Sequence, residues 1–250
     1  MITSKDNEKL KLVRKLAAAK HRESEGLFVT EGEDLLRAGL AAGIEPTVLL
    51  TRGGEGLGGL EVEPELLDAA STLGSGTRTI AIWPLPRNER PTQGAIGQGV
   101  GRSTGERAVC VYLHGVGDPG NVGSIVRSAG ALADAWVALG PECADPYGPK
   151  AVRASMGAIF TVPLSRCDIT DTPVPRVSLV ARGGDPSPPT EAKTICLGAE
   201  RDGLPQDVID ATDATWTIPM RLDAVESLGV AAAAAIALSR IVSPSGEERA

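Results

Sequence analysis

Apolar positions recur at helical spacing over residues 5–20, with Leu10, Val13, Leu16 and Ala17 on one side and lysines elsewhere. That pattern predicts a single amphipathic helix. Gly26 to Gly32 reads as a short strand, Leu27-Phe28-Val29-Thr30-Glu31, ended by a glycine. Further elements are expected as a helix over 33–42, a strand over 46–50, a helix over 64–72 and a strand over 79–83. They form a small α/β unit. From Pro84 to Gly105 the periodicity stops in a stretch rich in Pro, Gly, Gln, Arg and Ser, the composition of a linker.

From Ala108 onward, continuous apolar strands alternate with helices, the signature of a parallel sheet covered on both faces. Strands are expected at 108–114, 135–139, 159–163, 177–181, 194–198 and 215–218. Helices are expected at 121–132, 149–157, 206–211 and 226–242. The fold class is therefore α/β with a mainly parallel sheet. The expected division is 1–85, a linker at 86–106, 107–243, and a polar tail at 244–250.

Composition narrows the possibilities. Of 250 residues 42% are apolar but only seven are aromatic, so the core must lean on Ala, Val, Leu and Ile. No apolar run approaches the length of a membrane span, and no membrane partner is expected. The charged first 25 residues lack a signal-peptide core, which gives a cytoplasmic expectation. Cys110, Cys143, Cys167 and Cys196 lie far apart without a C-x-x-C pair, and only His21 and His114 accompany them. They read as buried thiols in a reducing compartment, and no metal is expected.

The net charge of −7 at first argues against a polyanionic partner, but its distribution does not. Residues 1–22 carry Lys5, Lys9, Lys11, Arg14, Lys15, Lys20 and Arg22 against Asp6 and Glu8. A basic arm can engage a polyanion locally because charge is screened over roughly 8 Å at physiological salt. The same pattern also suits a merely solvated helix.

Three segments carry candidate chemistry. In Val111 to Arg127, Gly115, Gly117 and Gly120 fit G-x-G-x-x-G between a strand and a helix, with Glu142 some way beyond. This is the dinucleotide fingerprint and raises a nicotinamide-dependent oxidoreductase as an alternative, although Pro119 removes an N–H from the loop. Asn121 and Arg127 add polar side chains that could both lean toward the loop mouth. The second segment, Thr194 to Leu204, runs a buried strand into a loop with Gly198, Glu200 and Gly203. It is either a ligand crevice at a strand's carboxyl end or an ordinary surface turn. The third, Ile218-Pro219-Met220 followed by Glu226-Ser227-Leu228-Gly229 and an alanine-rich helix, suits an adenine pocket or plain core.

In order and spacing these segments resemble the three signature motifs of the SpoU (TrmH-like) branch of the SPOUT methyltransferases. Asp118-Pro119-Gly120-Asn121-Val122-Gly123 through Arg127 is similar to the first motif. Leu197-Gly198-Ala199-Glu200 with Gly203 is similar to the second, and Ile218-Pro219-Met220 with Glu226-Ser227-Leu228 to the third. Lys150 to Phe160 resembles the family's rRNA-modifying members. Lys20-His21-Arg22, Phe28-Val29 and Glu31-Gly32 resemble its amino-terminal, ribosomal-protein-like RNA-binding domain.

The resemblance implies a deep carboxy-terminal trefoil knot, a homodimer, S-adenosylmethionine as cofactor, and methylation of a ribose 2′-hydroxyl in RNA, with ribosomal RNA ahead of transfer RNA. It assigns catalysis to Arg127, Asn121, Glu200 and Ser227. Cofactor binding falls to Leu197, Gly198, Glu200, Gly203, Ile218, Met220 and Leu228, and RNA binding to Lys15, Lys20, Arg22 and Arg153. Arg127 would act as a base, an awkward role for a guanidinium, or hold the phosphate and the developing alkoxide. Glu200 would anchor it and Asn121 would orient it or the ribose. The chain departs from the family in having Gly229 where Asn is usual and Ala231 where Ser is frequent. This departure raises a second alternative, a catalytically weakened RNA-binding protein of the same fold.

Overall fold

The amino-terminal apolar period is divided between two helices rather than one. In the computed structural model, which describes residues 1–74, 76–86, 108–221 and 228–242, α1 (Glu8–Lys15) stops at Leu16. After Ala18, whose ψ of 134° is extended, α2 (Ala19–Glu25) begins. Arg22 supplies the reason. Its guanidinium donates to the Leu16 and Ala17 carbonyls at 2.6 and 2.8 Å, groups that a continuing helix would bond to its own N–H groups. Gly26 then closes α2 in a left-handed conformation, φ 65°, where a Cβ is penalised.

Next come β1 (Leu27–Glu31), α3 (Glu33–Ala41), β2 (Val48–Arg52), β3 (Leu60–Val62), α4 (Pro64–Ala70) and β4 (Thr79–Pro84). They build a sheet in the order β1-β4-β2-β3, antiparallel except between β2 and β3. Leu10, Val13 and Leu16 of the first helical segment pack on Leu50, Val62, Leu67, Ile80 and Ile82. The sequence pattern did not anticipate β3, in which only Leu60 and Val62 carry the alternation.

The remaining elements are β5 (Val109–Leu113), α5 (Pro119–Leu132), β6 (Ala135–Leu139), α6 (Pro149–Ser155), β7 (Leu164–Arg166), β8 (Arg176–Leu179), β9 (Thr194–Leu197), α7 (Gln206–Asp210), β10 (Ala214–Trp216) and α8 (Val230–Val242). The sheet order is β10-β8-β9-β5-β6-β7, with every neighbouring pair parallel. β5 and β6 are buried throughout, as expected of central parallel strands. Helix α8 packs against α5 and β9. Cys110, Tyr112, Trp136 and Cys196 share one face of the sheet and pack with Leu204 and Val208.

The chain forms two compact units. Met1–Arg87 joins Asp145–Thr161 in the first, and Asn88–Ala144 joins Val162–Ala250 in the second. The linear division expected from sequence is corrected here, because α6 leaves the parallel sheet's stretch of chain and packs against β1. Aromatic contacts explain the capture. The Phe160 ring meets Trp83 edge-on at 4.8 Å and Phe28 at 5.7 Å, and Tyr147 lies 5.2 Å from Phe28. The expected strand at 159–163 is corrected with it. Ala158–Phe160 forms a single 3-10 turn whose apolar residues serve the first unit, and the strand starts only at Leu164. The rest of the expected linker beyond Pro86 and the 244–250 tail lie outside the described residues. Among the described residues no helix is long and apolar enough to cross a membrane.

Candidate active site

Three chain segments follow the carboxyl ends of β5, β9 and β10, the side of an open parallel sheet where ligand crevices form. The first starts after β5, where the His114 N–H donates to the Leu197 carbonyl at 2.9 Å. Asp118 then caps α5, accepting from the Asn121 N–H at 3.0 Å, with Pro119 at the first helical position. The chain's own carboxylate thus occupies the helix terminus that a dinucleotide fingerprint would offer to a pyrophosphate. The G-x-G-x-x-G spacing is therefore a helix entry, and the nicotinamide alternative loses its structural basis.

The second segment is the loop after β9. Ala199 and Gly203 exchange backbone hydrogen bonds at 3.1 and 3.0 Å across it, and Gly203 turns the chain with φ of 72°. A Cβ on Gly198 would overlap the Gly203 carbonyl group and the Leu204 nitrogen. The glycine is required by the loop's closure on itself, where the sequence had suggested close approach of a ligand. Glu200 projects from this loop and its Oε1 accepts from Asn121 Nδ2 at 2.7 Å. The partner of Glu200 is thus Asn121, in place of the Arg127 expected from the resemblance.

The third segment follows β10 and leads into α8. The second and third segments, with the end of β8 and the start of α8, line one open cleft. Leu197, Gly198, Glu200, Gly203, Ile218, Met220 and Leu228 all line it, so the seven residues expected to hold the cofactor stand around one space. Leu179, Val180 and Ala181 after β8, with Val230 and Ala233 of α8, complete the walls. Sequence reading missed the three at the end of β8. Only the sheet order, which sets β8 beside β9, brings them in.

Not every expected catalytic residue joins this group. Arg127 is exposed on α5 and does not line the cleft. Six residues turn a helix by about 600°, so Arg127 projects roughly 120° away from Asn121. Ser227 lies outside the described residues. Gly229 sits just before α8, where its carbonyl accepts from the Ala233 N–H at 3.0 Å, and a Cβ there would meet nothing within 4 Å among the described residues.

The expected RNA-binding residues separate in the same way. Lys20 is exposed. Lys15 pairs with Glu25 at 2.6 Å, an exposed contact that holds the Glu25 carboxyl below its ordinary value through its hydrogen bond and charge. Arg153 is half-buried and donates to Thr72 Oγ1 at 2.9 Å. Arg22 is corrected to a structural residue. It is 4% exposed and pairs with Asp145 at 2.6 Å while capping α1.

Cys110, Cys143 and Cys196 are buried, and burial pushes their thiols up, that of Cys196 to about 12. Among the described residues no group of three His, Cys, Asp or Glu stands placed to hold a metal ion.

Residues 7–73 match the MRM3-like substrate binding domain. Over 253 aligned residues the chain is 26% identical to the 23S rRNA (guanosine(2553)-2'-O)-methyltransferase RlmP of Bacillus subtilis, covering 94% of this chain and 96% of that one. The AdoMet complex of the SpoU methyltransferase AviRb from Streptomyces viridochromogenes superimposes with a TM-score of 0.79 at 25% identity, over 94% of this chain and 97% of that chain. An AdoMet-bound rRNA methyltransferase from Sinorhizobium meliloti gives 0.77 at 26% identity over 96% of each chain. Residues 108–239, which contain the cleft and all three segments around it, match the SpoU rRNA Methylase family, and the chain belongs to that family.

Proposed function

We propose that the chain transfers the methyl group of S-adenosylmethionine to a ribose 2′-oxygen of ribosomal RNA. One observation carries the reading. The seven residues that the motifs assign to the cofactor line a single cleft beside the Asn121–Glu200 pair. Relatives of nearly equal length named as rRNA 2′-O-methyltransferases and AdoMet complexes support it.

The cleft fits the cofactor chemically. Leu197, Ile218, Leu228 and Val230 offer apolar walls to an adenosyl group, the Ala199–Gly203 loop offers backbone polar groups, and Glu200 offers a carboxylate to a cationic one. S-adenosylmethionine supplies an electrophilic methyl on a sulfonium. In the transfer the S–CH₃ bond would break to leave the neutral thioether S-adenosylhomocysteine, an O–CH₃ bond would form, and the hydroxyl proton would pass to solvent water. Arg127 serves best by holding the neighbouring phosphate and stabilising charge that develops on the 2′-oxygen. Asn121 and Glu200 fix the mouth of the cleft through their shared hydrogen bond.

The homodimer, the trefoil knot and the cytoplasmic setting belong to the same proposal. The packing of α8 on both α5 and β9 supports a carboxy-terminal helix tucked into the fold. Arg127 supports a dimer, since it stands exposed outside its own cleft and a second copy would bring it to one.

The test is transfer of tritium from labelled S-adenosylmethionine to in-vitro-transcribed 23S, 16S and transfer RNA, with product mapped as an alkali-resistant linkage. Counts in ribosomal RNA that disappear in Arg127→Ala uphold the reading. Binding of S-adenosylhomocysteine without transfer to any RNA would overturn it in favour of an RNA-binding protein weakened at Gly229.

A further inference from the structure

The lining of the cleft is uncharged except at two consecutive positions. Among the described residues that line it, Glu200 and Arg201 alone carry charge. They differ in what already holds them. Glu200 Oε1 accepts from Asn121 Nδ2 at 2.7 Å. Arg201 is exposed, and among the described residues no carboxylate or carbonyl takes its N–H groups.

Both project from a short loop that closes on itself. Ala199 and Gly203 exchange backbone hydrogen bonds at 3.1 and 3.0 Å, so the free part of the loop is residues 200–202. The close approach of Gly203 to Gly198 holds the loop's base against the end of β9. Backbone fixed in this way has little conformational freedom left to lose when a side chain on it meets a ligand. Arg201 is therefore a cation without a structural partner, carried on a set backbone at the rim of an apolar cleft.

We propose that Arg201 binds the α-carboxylate of the cofactor's methionine tail. The proposal rests on the S-adenosylmethionine reading. That molecule joins an apolar adenosyl group to a tail bearing a sulfonium, an ammonium and one carboxylate. Glu200 suits the two cations, and among the described lining residues Arg201 is the group that suits the anion. A guanidinium meets a carboxylate through two parallel N–H···O bonds, a match that an ammonium lacks. The consequence is selectivity: an adenosyl ligand that keeps its amine but has lost its carboxylate binds less well.

The experiment titrates S-adenosylhomocysteine and its decarboxylated analogue into the full chain and into Arg201→Ala, Arg201→Lys and Arg201→Glu, by calorimetry. The native chain is expected to prefer S-adenosylhomocysteine by about tenfold, the size of one charge-assisted contact. Arg201→Ala should erase that preference, weakening S-adenosylhomocysteine about tenfold and leaving the analogue within about twofold. Arg201→Lys should keep part of it as a point charge without the fork. Arg201→Glu should invert it, because the analogue carries a net positive charge. Added salt should shrink the native preference, since the contact stands at an exposed rim.

Equal weakening of both ligands in Arg201→Ala, or no weakening of either, would overturn the proposal. Loss of affinity for in-vitro-transcribed 23S ribosomal RNA with the ligand preference intact would overturn it too, giving Arg201 to a backbone phosphate. A native chain that binds both ligands equally overturns this proposal alone. A native chain that binds neither overturns the S-adenosylmethionine reading and this one together.

Discussion

Gly229 stands at the N-cap position of α8, and among the described residues nothing fills the place where a side chain would project. Asn is among the best N-cap residues, and Gly falls short of it by only a few tenths of a kcal/mol. Gly229→Asn should therefore leave the melting temperature unchanged or slightly raised. Where the amide also supports the reaction, methyl transfer should rise by about tenfold, the lower bound for a hydrogen bond to a charged group. A fall in both melting temperature and transfer would show that the space is not free. Arg22 behaves in the opposite way. Removing it strands Asp145 and two carbonyls, so Arg22→Ala should cost about 3–5 kcal/mol in a urea titration. Arg22→Lys should recover little, since one ammonium cannot span carboxylate and carbonyls together. At this scale the cleft was legible because each motif is local and its residues stay together on one loop. Arg22 was not, because charge along a sequence cannot distinguish a cation facing water from one capping a helix.

Elements were legible where a period is served by a single core. The buried runs that became β5, β6 and β9 fall close to where the apolar pattern put them. The errors share a cause. The 5–20 period is interrupted by a side chain that arrives from the next helix, and the apolar run around 159–163 is divided between two cores. Helix α4 is tied to β2 by Arg52, whose guanidinium donates to both Asp68 oxygens at 2.9 and 3.2 Å. The hydrogen bond from Arg52, with its charge, holds the Asp68 carboxyl below its ordinary value. A depressed carboxylate contributes stability that is full above the unfolded pKa, about 3.9, and is lost as pH falls through the folded value. The stability difference between the native chain and Asp68→Asn should therefore shrink on acidification below about pH 4. Urea midpoints between pH 6 and 3 would show it, and a difference that grows instead would contradict the assignment.

For the whole molecule, the discontinuous first unit is the main departure from a linear reading. A fragment of residues 1–86 lacks Asp145, Tyr147 and Phe160, so it leaves Arg22 unpaired and Phe28 and Trp83 without their ring partners. Such a fragment should melt well below the full chain or remain molten, with weak near-ultraviolet circular dichroism. Cooperative melting at the full chain's temperature would argue that Asp145–Thr161 is dispensable. The proposed dimer makes a separate prediction. If Arg127 of one copy serves the cleft of another, mixing inactive Arg127→Ala and Glu200→Ala chains should restore part of the methyl transfer. Neither variant alone should do so.

Vectorial synthesis gives the interrupted first unit a further consequence. Domains generally close as they emerge, amino-terminal first. Here α1 to β4 leave the exit tunnel long before Asp145–Thr161, and β5, α5 and β6 are made in between. The nascent amino-terminal segment must wait with Phe28 and Trp83 short of their ring partners while three elements of the other unit are already outside. Its completion is timed by translation of the second half of the gene, so synonymous codons that slow elongation between residues 87 and 161 prolong the interval most open to chaperone binding.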